Sequence, residues 1–591
     1  MTLLRNLAQR VRGPGATEPG SPGAGSAHEL LDRHAAQLPE NPQRVVLLAD
    51  AASAGEVEDL LAVLPTARVA VISTAPSETW QGYGHDLETF TESTLDQINW
   101  RMRFLAGADL CIDMATRTPE EYGGLWHRLF LHLEPGAAYV IDRRHDPRTP
   151  VPDQLLDAAA SQGLEPATLR ASYSQPARRR AVASVFVDAD CIIVRKRGHH
   201  LLKVRERLAD RLLPAREPDL GVARLAEVPA QEVTCAATVV SHTSSRPMKW
   251  LDTTMKAPAL FLRHYEGEIA MVSNGLLVSG TSILPDSFRH HVGGHLSNPV
   301  LIDSSGDHGQ LRARDRAHTR LEGSYYHLDS ENSGHYGHLL TEVVSRLWGW
   351  DEAKRRIPDL KAVFRIRYPD ERDPVLEKRI FGAYGIAPED ITWTSEPVWV
   401  DSLVGATPMW HNQIPHYVHP AVLPVWDRIR ASLLDGAEAP TAGFERSGGE
   451  RIFVSRRDIT ENRACRNTRE VESFFAERGF DVVYPEAHDL AEQAAIFDRA
   501  EVIAGFGGSA MFNIMFARDY RALILLNHEA YTARNEHLFT TLLGGEVHYF
   551  WSTPDIQQPE TGWSKEAYYS PWSFDFERNA GDLTDVLASL R

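Results

Sequence analysis

The chain is poor in cysteine, with four in 591 residues. Cys111, Cys191, Cys235 and Cys465 form no CxxC pair, which argues against a metal knuckle or a disulfide framework. They read as small buried hydrophobes of a protein kept in reducing surroundings. Long apolar runs are missing as well. None reaches the roughly 18 residues of a membrane-spanning helix, and the N-terminus lacks the apolar core of a signal peptide. There is no basic excess: 62 Lys and Arg stand against 80 Asp and Glu, a net charge of −18. That argues against a general nucleic-acid binder, which needs a basic face, but leaves room for a local basic pocket. No DxD-type pair follows a strand and no H-E-x-x-H occurs, so no dedicated metal is implied.

What is present is a soluble, globular composition, 43% hydrophobic and 24% charged, over a length that implies two to four domains. Residues 1–28 form a tail. Leu3, Leu4, Leu7 and Val11 fall at helical spacing with Arg5, Arg10 and Arg12 between them. This is either a short basic helix lying on an anionic membrane surface or a frayed terminus. Residues 13–27 are a Gly/Pro/Ser/Ala linker.

Residues 29–200 alternate strand and helix, the signature of a parallel, Rossmann-like sheet. Strands are expected over 44–49, 68–73, 109–114 and 138–142, and helices over 56–64 and 122–133. The stretch FLHLEPGAAYVID from Phe130 to Asp142 resembles the late helix–turn–strand of class I methyltransferases. The loop after the first strand, Ala49-Asp50-Ala51-Ala52-Ser53-Ala54-Gly55, has a single glycine. The second strand ends Ser73-Thr74-Ala75, with no acid to hold a ribose. A non-catalytic methyltransferase-like module follows, with S-adenosylmethionine chemistry as the alternative.

Residues 201–440 begin with a mixed part, with strands expected over 231–241 and 268–279. His290, His291 and His295 lack acidic or cysteine partners at ligand spacing and read as solvated. From residue 334 the pattern becomes regular. Helices are expected over 336–350, 374–384 and 419–434, and strands over 362–367 and 398–406. A breaker-rich stretch, 435–449, reads as a hinge. Residues 441–591 alternate again, with strands over 451–455, 481–484, 501–504, 522–526 and 547–551. The fold class is α/β: two Rossmann-like lobes facing a cleft in a GT-B-like arrangement, preceded by the separate Rossmann-like domain.

The strongest local feature is Gly505-Phe506-Gly507-Gly508-Ser509, between a strand and a helix containing Asn513. Glycines admit an anion close to the backbone, the helix start supplies N–H groups, and Ser509 suits the cap. Arg456 and Arg457 end the lobe's first strand, and Arg463 and Arg466 follow. Guanidinium forks bind phosphate oxygens; a surface loop paired with Asp458 and Glu461 is the other reading.

These residues resemble glycosyltransferase family 61. Ser455-Arg456, Arg463 with Asn467, Glu492-Gln493, and Gly505, Gly508 and Asn513 match its donor-lobe motifs. Thr468, Gly507 and Ala510 depart from them, and Gly507 stands where the family has a histidine. In the first lobe Gly334, His338 and Glu342 match a G-x-x-x-H-x-x-x-D/E element. His338 and Glu342 are four apart and share a helix face. An adjacent carboxylate makes an imidazole more basic, and an inverting transfer needs a base for the acceptor hydroxyl. Either of the two could take the proton. Arg346, a turn on, could meet a phosphate or Glu342.

The resemblance implies an inverting, metal-independent glycosyltransferase without a cofactor. The donor would be a nucleotide-diphosphate sugar. The acceptor would be a cell-surface or capsular polysaccharide, as a glycan or lipid-linked glycan. Residues implied at the donor are Arg456, Arg463, Arg466, Asn467, Glu492, Gln493, Gly505, Gly507, Gly508, Ser509 and Asn513. The protein would be cytoplasmic, with peripheral contact to the inner membrane face. A non-catalytic sugar- or nucleotide-binding scaffold is the alternative.

Overall fold

The computed structural model describes residues 26–80, 87–105, 107–144, 151–153, 155, 180–245, 251, 253–287, 296, 298–313, 316–366, 373–435, 449–457 and 462–590. The N-terminal amphipathic pattern, most of the 13–27 linker, His290, His291, His295, Asp458 and Glu461 lie outside them. The fold is mixed α/β with several sheets. It divides into two compact units. Unit 1 is Met1–Val222 with Gly267–Thr319, and unit 2 is Ala223–Glu266 with Arg320–Arg591.

Unit 1 holds a seven-stranded sheet of β1 (Arg44–Ala49), β2 (Arg68–Ser73), β3 (Leu87–Thr91), β4 (Ala108–Asp113), β5 (Leu133–Asp142), β6 (Val182–Val187) and β7 (Cys191–Lys196). Their order is β3-β2-β1-β4-β5-β7-β6. β1 to β5 pair in parallel, and β7 runs antiparallel to β5. Buried Val, Leu and Ile on both faces explain the unbroken apolar runs of β1 and β2. Pro135-Gly136 does not end an element as expected from a turn pair. It sits within β5, where the register against β4 shifts between Ala108 and Leu110. At the carboxyl edge, Asp50 accepts from the backbone of Ala52 and Ser53, Arg117 pairs with Asp113, and Arg144 with Asp142 and Glu56.

The span 268–279 is not one strand. Chain reversal at Asn274 (φ 60°) and Gly275 (φ 69°) splits it into strands Leu260–Val272 and Leu276–Ser279, paired antiparallel. Asn-Gly between apolar runs is a hairpin signal. The span 231–241 likewise divides, into Gln231–Thr234 and Thr238–His242.

Thr319–His327, which lies in unit 2 from Arg320 on, and Lys361–Arg365 and Ile391–Thr394 of unit 2 pair in parallel beside Val398–Ala406. A second, six-stranded sheet has β8 (Thr238–His242), β9 (Arg451–Val454), β10 (Asp481–Val483), β11 (Val502–Phe506), β12 (Ala522–His528) and β13 (Glu546–Ser552). The order is β8-β13-β12-β11-β9-β10, all parallel. Within its last five strands the order reverses between β9 and β11, the topological switch where open α/β sheets bind ligands. The expected helix over 336–350 is one continuous helical segment of changing pitch. Tyr336–His338 is α, Leu339–Val343 is π, Val344–Gly349 is 3-10 and Trp350–Arg356 is α again. Thr341 and Ser345 bond back to the carbonyls of Gly337 and Glu342, which loosens regular α-helical pairing.

Candidate functional site

The carboxyl ends of β9, β11 and β12 open onto a cavity of about 910 Å³. Arg456 and Arg457 leave β9, Phe506 and Gly507 leave β11, and Asn527 and His528 close β12; Cys465, Arg466, Asn467 and Trp572 complete much of the wall. In a chain of net charge −18, five arginines line this cavity against two glutamates, Glu470 and Glu472. Glu472 already accepts from Ser455 and Tyr484.

Two of these arginines, Arg456 and Arg463, each carry a buried nitrogen without a hydrogen-bond partner among the described residues. In Arg456 it is Nη2. Burial and neighbouring Arg463 push its guanidinium below the usual value. Arg463 lies 4.3 Å over the Tyr531 ring, and its Nε is buried without a partner among the described residues. Asn462 and Arg463 both take left-handed backbone, φ 53° and 68°, a costly geometry for residues other than glycine. This bend was not legible in the sequence. Arg466, by contrast, is exposed and paired with Asp555.

The glycine loop serves close packing. A Cβ on Gly505 would stand 2.5 Å from the Val454 carbonyl, and one on Gly507 would stand 2.2 Å from Asn527 Oδ1. Gly508 has φ 140°, and its N–H donates to Glu536 at 2.6 Å. Glu536 is buried, and burial raises its carboxyl above the usual range; no motif in the sequence marks it. The segment Ser509–Phe516 is 3-10, its N-cap is Gly508, and no side chain caps it. Ser509 therefore does not cap. As the first helical residue it comes after the cap position.

Other matched residues hold the scaffold. Asn467 bonds both ways to the Phe574 backbone. Glu492 closes a capping box with Asp489, for which Asp-x-x-Glu before an apolar run was the available signal. Tyr336 OH donates toward Asn513 Oδ1 at 2.5 Å and lies 3.2 Å from Gln493 Oε1.

His338 Nδ1 stands 2.9 Å from Glu342 Oε1, with His338 partly exposed and Glu342 buried. Neither lines the cavity. Their segment reaches the loop through Gly337, where a Cβ would lie 2.9 Å from the Ser509 side chain. His335 is held below its usual value by burial, His338, Arg463 and Arg456, which puts it within electrostatic reach of both sites. Arg346 is wholly buried and donates to the Ala406 carbonyl.

Cys111 and Cys191 are buried as expected, whereas Cys235 and Cys465 are half-buried. In unit 1, His34, Asp188 and Cys191 bring potential metal-ligand atoms within 4.8 Å. His34 already contacts Asp188 at 3.0 Å, and burial and Asp188 push the Cys191 thiol up.

The fold and this cavity define an α/β protein with an arginine-lined cavity at a sheet switch point. Residues 336–524 match the family model Glycosyltransferase 61. No curated protein matches the chain. Solved structures similar to part of it include the MycE methyltransferase of the mycinamycin biosynthetic pathway, in complex with Mg and SAH. Identity is 15%, TM-score 0.24, covering 33% of this chain and 54% of that one. An O-methyltransferase family protein from Burkholderia thailandensis shows 15% identity and TM-score 0.19, covering 29% and 57%. The chain thus spans little more than half of those structures. No helix among the described residues is long and apolar enough to cross a membrane.

Proposed function

We propose that unit 2 is an inverting glycosyltransferase of GT-B type. It would move a sugar from a nucleotide-diphosphate donor to a glycan or lipid-linked glycan acceptor in cell-surface or capsular polysaccharide synthesis. The observation that carries the donor is Arg456, whose Nη2 is buried beside Gly508 at the switch point with no hydrogen-bond partner among the described residues. An anionic diphosphate satisfies such a group, and the charge that builds on the leaving group is stabilised by donors already in place. Arg463 contributes a second guanidinium. His338 with Glu342 is the base pair of the proposal, taking the acceptor proton as its oxygen attacks the anomeric carbon. Their chemistry needs no metal, and the reaction would run in the cytoplasm, near the membrane.

Incubation of the full chain with a panel of nucleotide sugars and glycan acceptors tests this. Release of nucleoside diphosphate, lost in Arg456→Ala, is the expected result. Absence of both release and nucleotide binding across the panel overturns it. One observation favours the second reading, a binding scaffold: His338 and Glu342 do not line the cavity. Nucleotide binding without turnover over the whole panel would select it.

A further inference from the structure

The same cavity contains a group that the donor motifs do not include. His528 ends β12, is 1% exposed, and lines the cavity. Neither ring nitrogen has a hydrogen-bond partner among the described residues. Burying an imidazole with both nitrogens unmet is costly, so such a group generally has a ligand or an ordered water to meet it. The surroundings are selective. Trp572 lies 5.9 Å away and Tyr531 6.4 Å, ring to ring. Arg463, which also lies over Tyr531, is close enough to influence the ring electrostatically.

The neighbouring residue explains why the glycine loop can lack a side chain here. Asn527 fills the space beside Gly507, where a Cβ would meet its Oδ1 at 2.2 Å and its Nδ2 at 2.9 Å. A histidine at 507 would therefore displace Asn527. The end of β12 occupies that space instead and puts an imidazole in the cavity wall one residue further on.

We propose that His528 is a donor-binding residue whose neutral imidazole hydrogen-bonds the nucleoside diphosphate held by Arg456 and Arg463, with Asn527 beside it in the space above Gly507. This rests on the donor-site reading above. A neutral ring beside two guanidinium groups has a specific use. It adds a hydrogen bond without adding a third positive charge, and it can present an N–H to a phosphate oxygen while its other nitrogen accepts from a hydroxyl or water.

Calorimetric titration of the full chain with UDP, GDP, CDP and the matching nucleosides tests the assignment, using wild type, His528→Ala, His528→Gln and Arg456→Ala. The expected result is diphosphate binding weakened about 10- to 100-fold in His528→Ala. Affinity should be largely rescued in His528→Gln, with nucleoside affinity unchanged. Wild-type diphosphate affinity in His528→Ala, with binding lost in Arg456→Ala, overturns the role of His528 and leaves the donor site standing. Equal loss of nucleoside and diphosphate affinity also overturns it, because that marks a general disturbance of the wall. No diphosphate binding by wild type removes the donor-site reading itself. If His528→Ala does not fold, a nucleoside-diphosphate-bound structure of the wild type decides: a His528 nitrogen within hydrogen-bond distance of the ligand upholds the assignment, and none within reach overturns it.

Discussion

Arg456 lies over Gly508: a Cβ on that glycine would stand 1.9 Å from Arg456 Nη2 and 3.1 Å from Arg463 Nη2. The backbone there has φ 140°, a conformation that side chains other than glycine's rarely take. Gly508→Ala should therefore displace the guanidinium and strain the loop together. Expected effects are a loss of about 1–3 kcal/mol of stability and a fall in nucleotide-diphosphate affinity of about tenfold or more. Denaturant melts and calorimetric titration measure the two.

The base assignment separates from the donor site in the same protein. His338→Ala and Glu342→Gln should lower kcat by about 100- to 10,000-fold. Nucleotide-diphosphate Kd should stay at the wild-type value, because neither residue lines the cavity. Turnover assays paired with titration check this, and a fall in affinity equal to the fall in kcat would refute the assignment.

Tyr336 ties the His338 segment to the helical segments beside the six-stranded sheet through Asn513 and Gln493. Burial raises its phenol well above the usual value, so it acts as a neutral O–H donor at any working pH. Tyr336→Phe should cost about 1–3 kcal/mol, since Asn513 Oδ1 loses a buried donor. Urea midpoints at constant m-value measure it.

Stability should also depend on pH through His528. Burial first, and Arg463 second, lower its imidazole from 6.5 to about 3. The unfolded chain protonates this ring at a higher pH than the folded chain does. Its contribution is thus fully present above pH 6.5 and is lost progressively as pH falls toward about 3. The slope from this one group reaches about 1.4 kcal/mol per pH unit. His132, His308 and His327 are also lowered by burial, so the difference between wild type and His528→Gln isolates the effect. Identical pH profiles for the two proteins would refute it.

Much of the local structure was legible in the sequence. β1 and β2 fall where their β-branched, apolar runs put them, and β9 to β13 fall near their expected spans, because fully buried parallel strands leave a continuous apolar signature. The arginines and glycine loop were legible for the same local reason. What was not legible depends on distant partners. Ser509 looked like a cap, but the turn ends one residue earlier because Gly508 can take φ 140°. The structural bonds of Glu492 to Asp489 and of Asn467 to the Phe574 backbone carry no motif that separates them from a ligand contact. Glu536 and His528 carry no motif; only the assembled sheet brings them to Gly508 and the cavity.

The pairing of β8 with β13 has a consequence for synthesis. Residues 238–242 become the edge strand of a sheet whose adjoining strand lies about 300 positions later, as with His242 beside His548. During translation that edge strand leaves the ribosome long before its partner exists, and it waits, unpaired, for most of the remaining chain. Closure of this sheet is therefore a late event that joins the two distant pieces of unit 2, and a fragment begun after the edge strand would leave β13 with one open side.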